Sequence, residues 1–339
     1  MQTRLKRTSK SIEAEFCNCL SCFPACFTLW KKGMIEIYFK TVRDTEFKQI
    51  SDFRPGSWIY LKEANLEDLS KISEVTNIDI ADLRDSLDKY EQPRIEHFDE
   101  NILFFVRHPG TNEFGLYTET LTIILTNHYV VAISPHRSQL IENLISMNTN
   151  LGTTQKSKLL LHILLKITQE YTNSIKRVRA STLGAEEPPK IVDSNAIVIL
   201  TKNEEILNQY LTSLVPMRNL LETMSSGRYM NFYEADLDLL EDLMIAMHQS
   251  EDICSVNIKS IRSLRDSYHI IFTNDVNRTI KLLTAVTIVF TIPTIIASIY
   301  GMNVGLPFQG KPHAFAIIMG ITFAVSLVTV GLFRRNRWL

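Results

Sequence analysis

The sequence is poor in residues that interrupt helices. It holds 12 glycines and 11 prolines in 339 residues, and neither type occurs from Glu234 until Pro293. That gap of close to 60 residues excludes a chain of short elements and predicts one helix of roughly 90 Å, a coiled coil or a stalk. Charge is missing from two stretches, the 19 positions 282–300 and the 20 positions 314–333. Cysteine is scarce, and four of the five (Cys17, Cys19, Cys22 and Cys26) lie in the first 33 residues. The glycine and histidine signatures of many enzymes are absent from the body: no P-loop, Rossmann glycine pattern, HExxH or GxSxG is present. A membrane-tethered enzyme is therefore disfavoured. The net charge of −1 argues against a nucleic-acid binder. There is no internal repeat or low-complexity tract.

The two uncharged stretches are each long enough, at about 1.5 Å per residue, to cross a hydrocarbon core of about 30 Å. The 13 residues between them, Gly301 to His313, are too few for a domain, so the pair reads as a transmembrane helical hairpin. Arg278 and Lys281 precede it, and Arg334, Arg335 and Arg337 follow. The connecting loop has Lys311 and no arginine. The excess of basic residues at both ends predicts cytoplasmic N- and C-termini and an outer loop. Everything before the hairpin is then cytosolic.

Residues 1–33 differ from the rest. They carry six Lys/Arg and two Asp/Glu, leaving 30 basic and 35 acidic residues elsewhere. Three readings stand. The C-x-C-x₂-C-x₃-C spacing offers four thiolates to a metal. Arg4, Lys6 and Arg7 before the apolar run Phe16 to Trp30 resemble a signal or minor anchor, which conflicts with a cytosolic body. The third, favoured by the charge balance, is a disordered or non-native extension, with the folded chain starting at Met34.

Residues 34–150 read as an α+β domain. MIEIYF and SWIYLK are strands, the second after a Pro55-Gly56 turn. Asn65 is an N-cap before LEDLSKISEVT, with Asp68 three residues on. Leu66, Leu69, Ile72 and Val75 are expected on one buried face. DIADLRDSLD forms a short helix, and two strand pairs follow, one after the Pro93 turn and one around Asn127-His128. Residues 151–281 are helical and form the stalk, broken at Pro188-Pro189, kinked at Pro216 and capped at Gly227. The hairpin 282–333 and the basic tail 334–339 complete the chain.

Inside the first span Thr284, Thr287, Thr291, Thr294 and Ser298 are spaced three, four, three and four, which puts their hydroxyls on one helix face. Extended back, that face takes Ile280 and Asn277. Hydroxyls in such a helix can bond their own i−4 carbonyls and pack against a neighbour. Five in a row also suit a water-lined path. The opposite face, with Val286, Val289 and Ile296, suits lipid or the second helix.

The stripe ends at Tyr300-Gly301-Met302-Asn303. YGMN closing a first span, a short outer loop, a second span and a basic tail ending Arg337-Trp338-Leu339 resemble the CorA family of divalent-cation channels, from Met34 to Leu339. The resemblance implies a homopentamer, in membrane lipid, whose five first helices line a pore for gated, passive Mg²⁺ influx across the plasma membrane, with Co²⁺ or Ni²⁺ as further ions. It implies no enzyme activity, no organic cofactor and no nucleic-acid partner. Gly301, Met302 and Asn303 are then the selectivity filter. Asn277, Ile280, Leu283, Thr287, Thr291 and Thr294 face the pore. Asp85 and Asp242 match a regulatory Mg²⁺ site between subunits, and Asp266 an acidic ring lower in the pore. Two departures bear on these roles. Arg84 stands where relatives can carry an acid, and the outer loop after Asn303 has no acidic residue. Asn303 also suits a helix C-cap, and any one of the aspartates also suits a solvated helix face. A zinc transporter of the same fold is an alternative, for which His313 and the cysteines are too scattered. A membrane-anchored Mg²⁺-binding sensor that does not conduct is another, against which the hydroxyl stripe argues.

If residues 1–33 are an extension, a chain started at Met34 assembles and transports like the full one. Size-exclusion chromatography and ion uptake check this, and loss of either would make the segment part of the working protein.

Overall fold

A computed structural model describes residues 34–112, 115–147, 151–183, 194–230, 232–307, 310, 312–336 and 338. The readings placed on Cys17–Cys26, on Pro188-Pro189 and on Arg337 and Leu339 lie outside the described residues. By its contacts the chain forms two compact units: one runs up to Lys176 and includes Asn208–Ser255, the other comprises Arg177–Leu207 and Val256–Leu339.

The first unit is built on a seven-stranded sheet. Its strands are β1 (Met34–Phe39), β2 (Lys48–Ile50), β3 (Trp58–Lys62), β4 (Arg94–Phe98), β5 (Asn101–Asn112), β6 (Gly115–Leu125) and β7 (Val130–Ile133), in the order β2-β1-β3-β7-β6-β5-β4. All pairs are antiparallel except β3 with β7, where Trp58 pairs with Val130 and Leu61 with Ile133. Trp58–Leu61 of β3 and all of β7 are buried, which is why WIYL and VVAI read as continuous apolar runs rather than alternating ones. The Pro55-Gly56 turn starts β3. Gly56 has φ +85°, and a Cβ there would also meet Thr154 Cγ2 at 3.0 Å, so only glycine suits the position.

One sheet face packs on α1 (Leu66–Thr76) and α2 (Ile80–Leu83), with Ile59, Leu61, Leu103, Phe105 and Val131 meeting Leu69, Ile72 and Leu83 in one apolar core. Asn65 caps α1 as expected. Its side chain accepts from the amides of Glu67 (2.9 Å) and Asp68 (3.0 Å), and the Asp68 carboxylate accepts from the Asn65 amide in return. The buried face differs from the expectation. Leu69, Ile72 and Thr76 are buried, Leu66 is 48% exposed and Val75 is half-buried. Steps of three turn 300° around a helix, so the row Leu66–Val75 rotates off the core; alternating steps of three and four hold the face.

Helices follow: α3 (Gln139–Ser146), α4 (Lys156–Leu183), α5 (Ser194–Ser225), α6 (Glu234–Tyr300) and α7 (Ala314–Arg335). Within the first unit Tyr171 of α4 meets Tyr210 of α5 edge-on at 5.4 Å and donates its hydroxyl to the Arg107 carbonyl of β5 at 3.1 Å. Thr172 of α4 and Ser250 of α6 share a hydrogen bond of 2.8 Å. Ser157 donates to Asp236 at 2.8 Å, and Asp236 is buried. Within the second unit Asn203 of α5 donates to Ser181 and Thr182 of α4, both at 3.1 Å.

Leu69→Ala should destabilise the sheet unit by ~2–5 kcal/mol, Asn65→Ala by ~1 kcal/mol and Leu66→Ala by about 0.5 kcal/mol. Urea unfolding followed through the buried Trp58 reads all three. Equal losses at positions 66 and 69 would contradict the observed face.

Candidate ion pathway and cation sites

α6 is a single helix of 67 residues, about 100 Å long, and its last 19 residues are the first uncharged stretch. Within that stretch the threonine stripe has a specific bonding pattern. Thr284 donates to the Ile280 carbonyl at 2.8 Å, Thr287 to Leu283 at 2.8 Å, Thr291 to Thr287 at 2.7 Å and Thr294 to Phe290 at 3.0 Å. The hydroxyl protons are thus directed along the helix, and the oxygen lone pairs remain as acceptors on the helix surface. All four threonines are exposed in the single chain, as are Asn277, Ile280 (54%) and Leu283 (65%). Of the described residues in the two spans, Ala285 and Thr322 are buried. Both helices are long and apolar enough to cross a membrane, and their apolar windows are 6% buried. Such a surface needs lipid or further protein around it.

The helix ends at the GMN segment. The amide of Gly301 donates to the Ala297 carbonyl at 2.9 Å and that of Met302 to Ile299 at 3.2 Å, tightening the last turn. The Tyr300 hydroxyl donates to the Pro307 carbonyl at 3.4 Å and ties the loop to the helix end. Among the described non-glycine residues only Glu63, Asn77 and Asp99 have positive φ. Asn303 is therefore not a left-handed cap, and its exposed amide is not spent on that role. A Cβ on Gly301 would meet the Ala297 and Ser298 carbonyls at 3.4 and 3.5 Å, an ordinary contact. The packing of one chain does not require glycine at this position.

The aspartates fare differently from the stripe. Asp85 lies on the 3₁₀ turn Arg84–Leu87 and is paired with Arg94 Nη2 at 2.7 Å. Arg94 also holds Glu96 at 2.6 Å and Glu91. Burial, followed by the charges of Asp79, Glu96 and Asp85, holds the nearby Asp82 carboxyl above its ordinary value. Asp242 is exposed on α6. Asp266 lies 3.6 Å from Arg265, which with Arg262 grips the buried Glu204 of α5. Among the described residues no three or more His, Cys, Asp or Glu are grouped to hold a metal ion. One chain's side chains therefore do not by themselves fit a resident Mg²⁺ at Asp85.

Two polar features were not legible in the sequence. Arg94 is one; its partners are nine, three and two residues away and come together only when β4 forms. The other lies on β5 and β6, where the buried His108 approaches Glu119 at 3.5 Å and Ser138 at 3.2 Å, and Tyr117 donates to Glu119. Burial lowers the His108 pKa, against the pull of Glu119. The side chains of Glu119, Arg107 and Lys89 line a cleft of about 410 Å³. Polar residues at inward strand positions, in RHP and TET, were the available signal for this network.

The sequence model of the CorA-like Mg²⁺ transporter protein family matches residues 56–335. The chain belongs to this family. The cobalt/magnesium transport protein CorA of Methanocaldococcus jannaschii is 26% identical over 295 residues, 83% of this chain and 91% of the relative. That of Thermotoga maritima is 20% identical over 320 residues, 89% of each. In structure the chain resembles the complete CorA magnesium transporter of M. jannaschii, with a TM-score of 0.74 at 24% identity, covering 90% of this chain and 99% of that one. It also resembles full-length CmaX, with a TM-score of 0.68 at 18% identity, covering 90% and 98%. The CorA-like architecture, an α/β soluble part, a long helix and two C-terminal membrane helices, is thus the fold of this chain. CorA family proteins are transporters rather than enzymes.

If the threonine oxygens serve as acceptors, Thr287→Val with Thr291→Val and Thr294→Val should assemble normally, because valine keeps the shape. Ion flux should fall by at least about tenfold, since each lost acceptor contact is worth ~0.5–1.5 kcal/mol. Unchanged flux in the assembled triple variant would assign the stripe to helix packing.

Proposed function

We propose that five copies of this chain form a plasma-membrane channel that passes Mg²⁺ passively into the cytosol, with Co²⁺ and Ni²⁺ as further ions. The observation that carries this reading is the acceptor stripe of α6 ending at GMN. Mg²⁺ gives up its water shell reluctantly, and first-shell waters point their hydrogens outward. A wall for the hydrated ion must therefore accept hydrogen bonds, and the threonine oxygens, with their protons already given to the helix, are acceptors. Family membership and the names of the two CorA relatives support the same ion class.

In this reading five Asn303 side-chain oxygens and five Gly301 carbonyls ring the outer mouth. Glycine at 301 is explained by the approach of neighbouring copies, since a single chain tolerates a Cβ there. The outer loop adds no carboxylate, so the ring itself recognises the ion. Ile280 and Leu283 form apolar rings that close the pore by dewetting. Asn277 and Asp266 lie further along α6 on the cytosolic side. A divalent ion entering an inside-negative cell gains about 4.6 kcal/mol per 100 mV, so the influx needs no other energy source. Both termini are cytosolic. Internal Mg²⁺ bridges Asp85 of one subunit to Asp242 of the next and favours the closed state; its loss frees the subunits to move. A ligand that binds one state better than the other is sufficient for such gating. No organic cofactor is part of this account.

Asn303→Ala should abolish Mg²⁺ uptake into liposomes while leaving the oligomer intact on size-exclusion chromatography. Wild-type uptake by the assembled variant would remove Asn303 from the filter.

A further inference from the structure

Arg94 is held more tightly than a surface arginine needs to be. Its Nε donates to Glu96 at 2.6 Å, Nη1 to Glu91 and Nη2 to Asp85 at 2.7 Å, so each edge of the guanidinium meets a carboxylate. Its flat face lies over the Phe105 ring, 4.1 Å from the centroid. The three acids come from separate segments: the 3₁₀ turn, the loop before β4, and β4 itself. The side chain is 30% exposed and Asp85 is 52% exposed, so ions in the cytosol reach the cluster. Three carboxylates around one guanidinium leave a local negative surplus, and Asp85 is the most exposed of the three. The acid that family resemblance assigns to Mg²⁺ thus already carries a cation belonging to its own chain.

We propose that Arg94 is a tethered cation that occupies Asp85 in place of a divalent ion, so that Mg²⁺ must displace the guanidinium before it bridges Asp85 to a neighbouring subunit. The inference rests on the reading of Asp85 as a regulatory Mg²⁺ ligand. Its consequence is a gate set to a higher internal Mg²⁺ concentration than Asp85 alone would give. A guanidinium is always charged and its planar donors are fixed, here one to each of three carboxylates, so the competition is between one fixed cation and one mobile one. The Arg94–Asp85 contact is partly exposed, and its loss should move the Mg²⁺ dependence by roughly fivefold rather than by orders of magnitude.

The test compares the full-length oligomer as wild type, R94Q, R94K, D85A and D85A/R94Q. Two readouts are taken against MgCl₂ concentration: protection of the cytosolic part from trypsin, and inhibition of current by internal Mg²⁺ in patches. R94Q should shift both midpoints to roughly fivefold lower Mg²⁺. R94K keeps the charge and loses the planar fit on Phe105, and it should stay near wild type. D85A should need more Mg²⁺ than wild type, and R94Q should add nothing in the D85A background. A wild-type midpoint in R94Q with a shifted midpoint in D85A overturns the role of Arg94 while leaving the sensor intact. A shift in R94Q that persists in D85A/R94Q, or one that R94K shares, also overturns it, assigning the effect to other acids or to packing. A D85A curve that coincides with wild type removes the sensor reading itself. If R94Q does not assemble, R94M takes its place as the neutral variant with the same outcomes, and a shift to lower Mg²⁺ in R94K makes packing the cause and overturns the proposal.

Discussion

A threonine in a membrane helix that gives its proton to the carbonyl four residues back solves two problems at once. It satisfies its own donor where no water is available, and it leaves an oxygen lone pair on the helix surface. In α6 four threonines do this in succession, from Thr284 to Thr294. Intrahelical bonding and a polar path had been alternatives for these residues on sequence grounds. The geometry makes them compatible, because the first consumes donors and the second needs acceptors. The account of the pathway depends on this division, since a wall of free donors would oppose the outward-pointing hydrogens of a hydrated cation.

The soluble part has the opposite polarity of design. Its sheet core is apolar on the α1 and α2 side, while charged groups such as Arg94, Arg107 and Glu204 are fixed by several partners each. Arg107 has 8% exposure and gives its donors to backbone carbonyls and threonine hydroxyls of the surrounding strands and loop. Arg94 does the same work with carboxylates. These clamps fix the loop that joins β4 to the 3₁₀ turn carrying Asp85. Asp242 and Ile280 belong to the same helix, α6, 38 residues apart in sequence.

Much of this was legible in the sequence for local reasons. The capping pair Asn65 and Asp68, the Pro55-Gly56 turn and the run free of proline and glycine from Glu234 until Pro293 are local signals, and the helix continues through Pro293 to Tyr300. Non-local features were not. The three-residue strand β2 is too short for a periodic signal, and the parallel pairing of β3 with β7 joins residues about 70 positions apart. The buried face of α1 departs from the Leu66–Val75 row because steps of three rotate off the core. The stripe of threonines was visible, but the direction of its protons needed coordinates. The regulatory role of Asp85 is an expectation from resemblance alone, and a resemblance carries no information about Arg94, whose contact with it depends on how β4 is placed.

The central claim is that the threonine face of α6, and not its apolar face, lines the ion path. Substituted-cysteine accessibility in a chain started at Met34 with Cys254→Ser tests it directly, with cysteine placed singly at positions 286–296. A charged methanethiosulfonate reagent should modify cysteines at positions 287, 291 and 294, and Mg²⁺ should slow the reaction. Positions 286, 289 and 296 should stay unreactive. Reactivity centred on 286, 289 and 296, or spread evenly around the helix, would contradict the account.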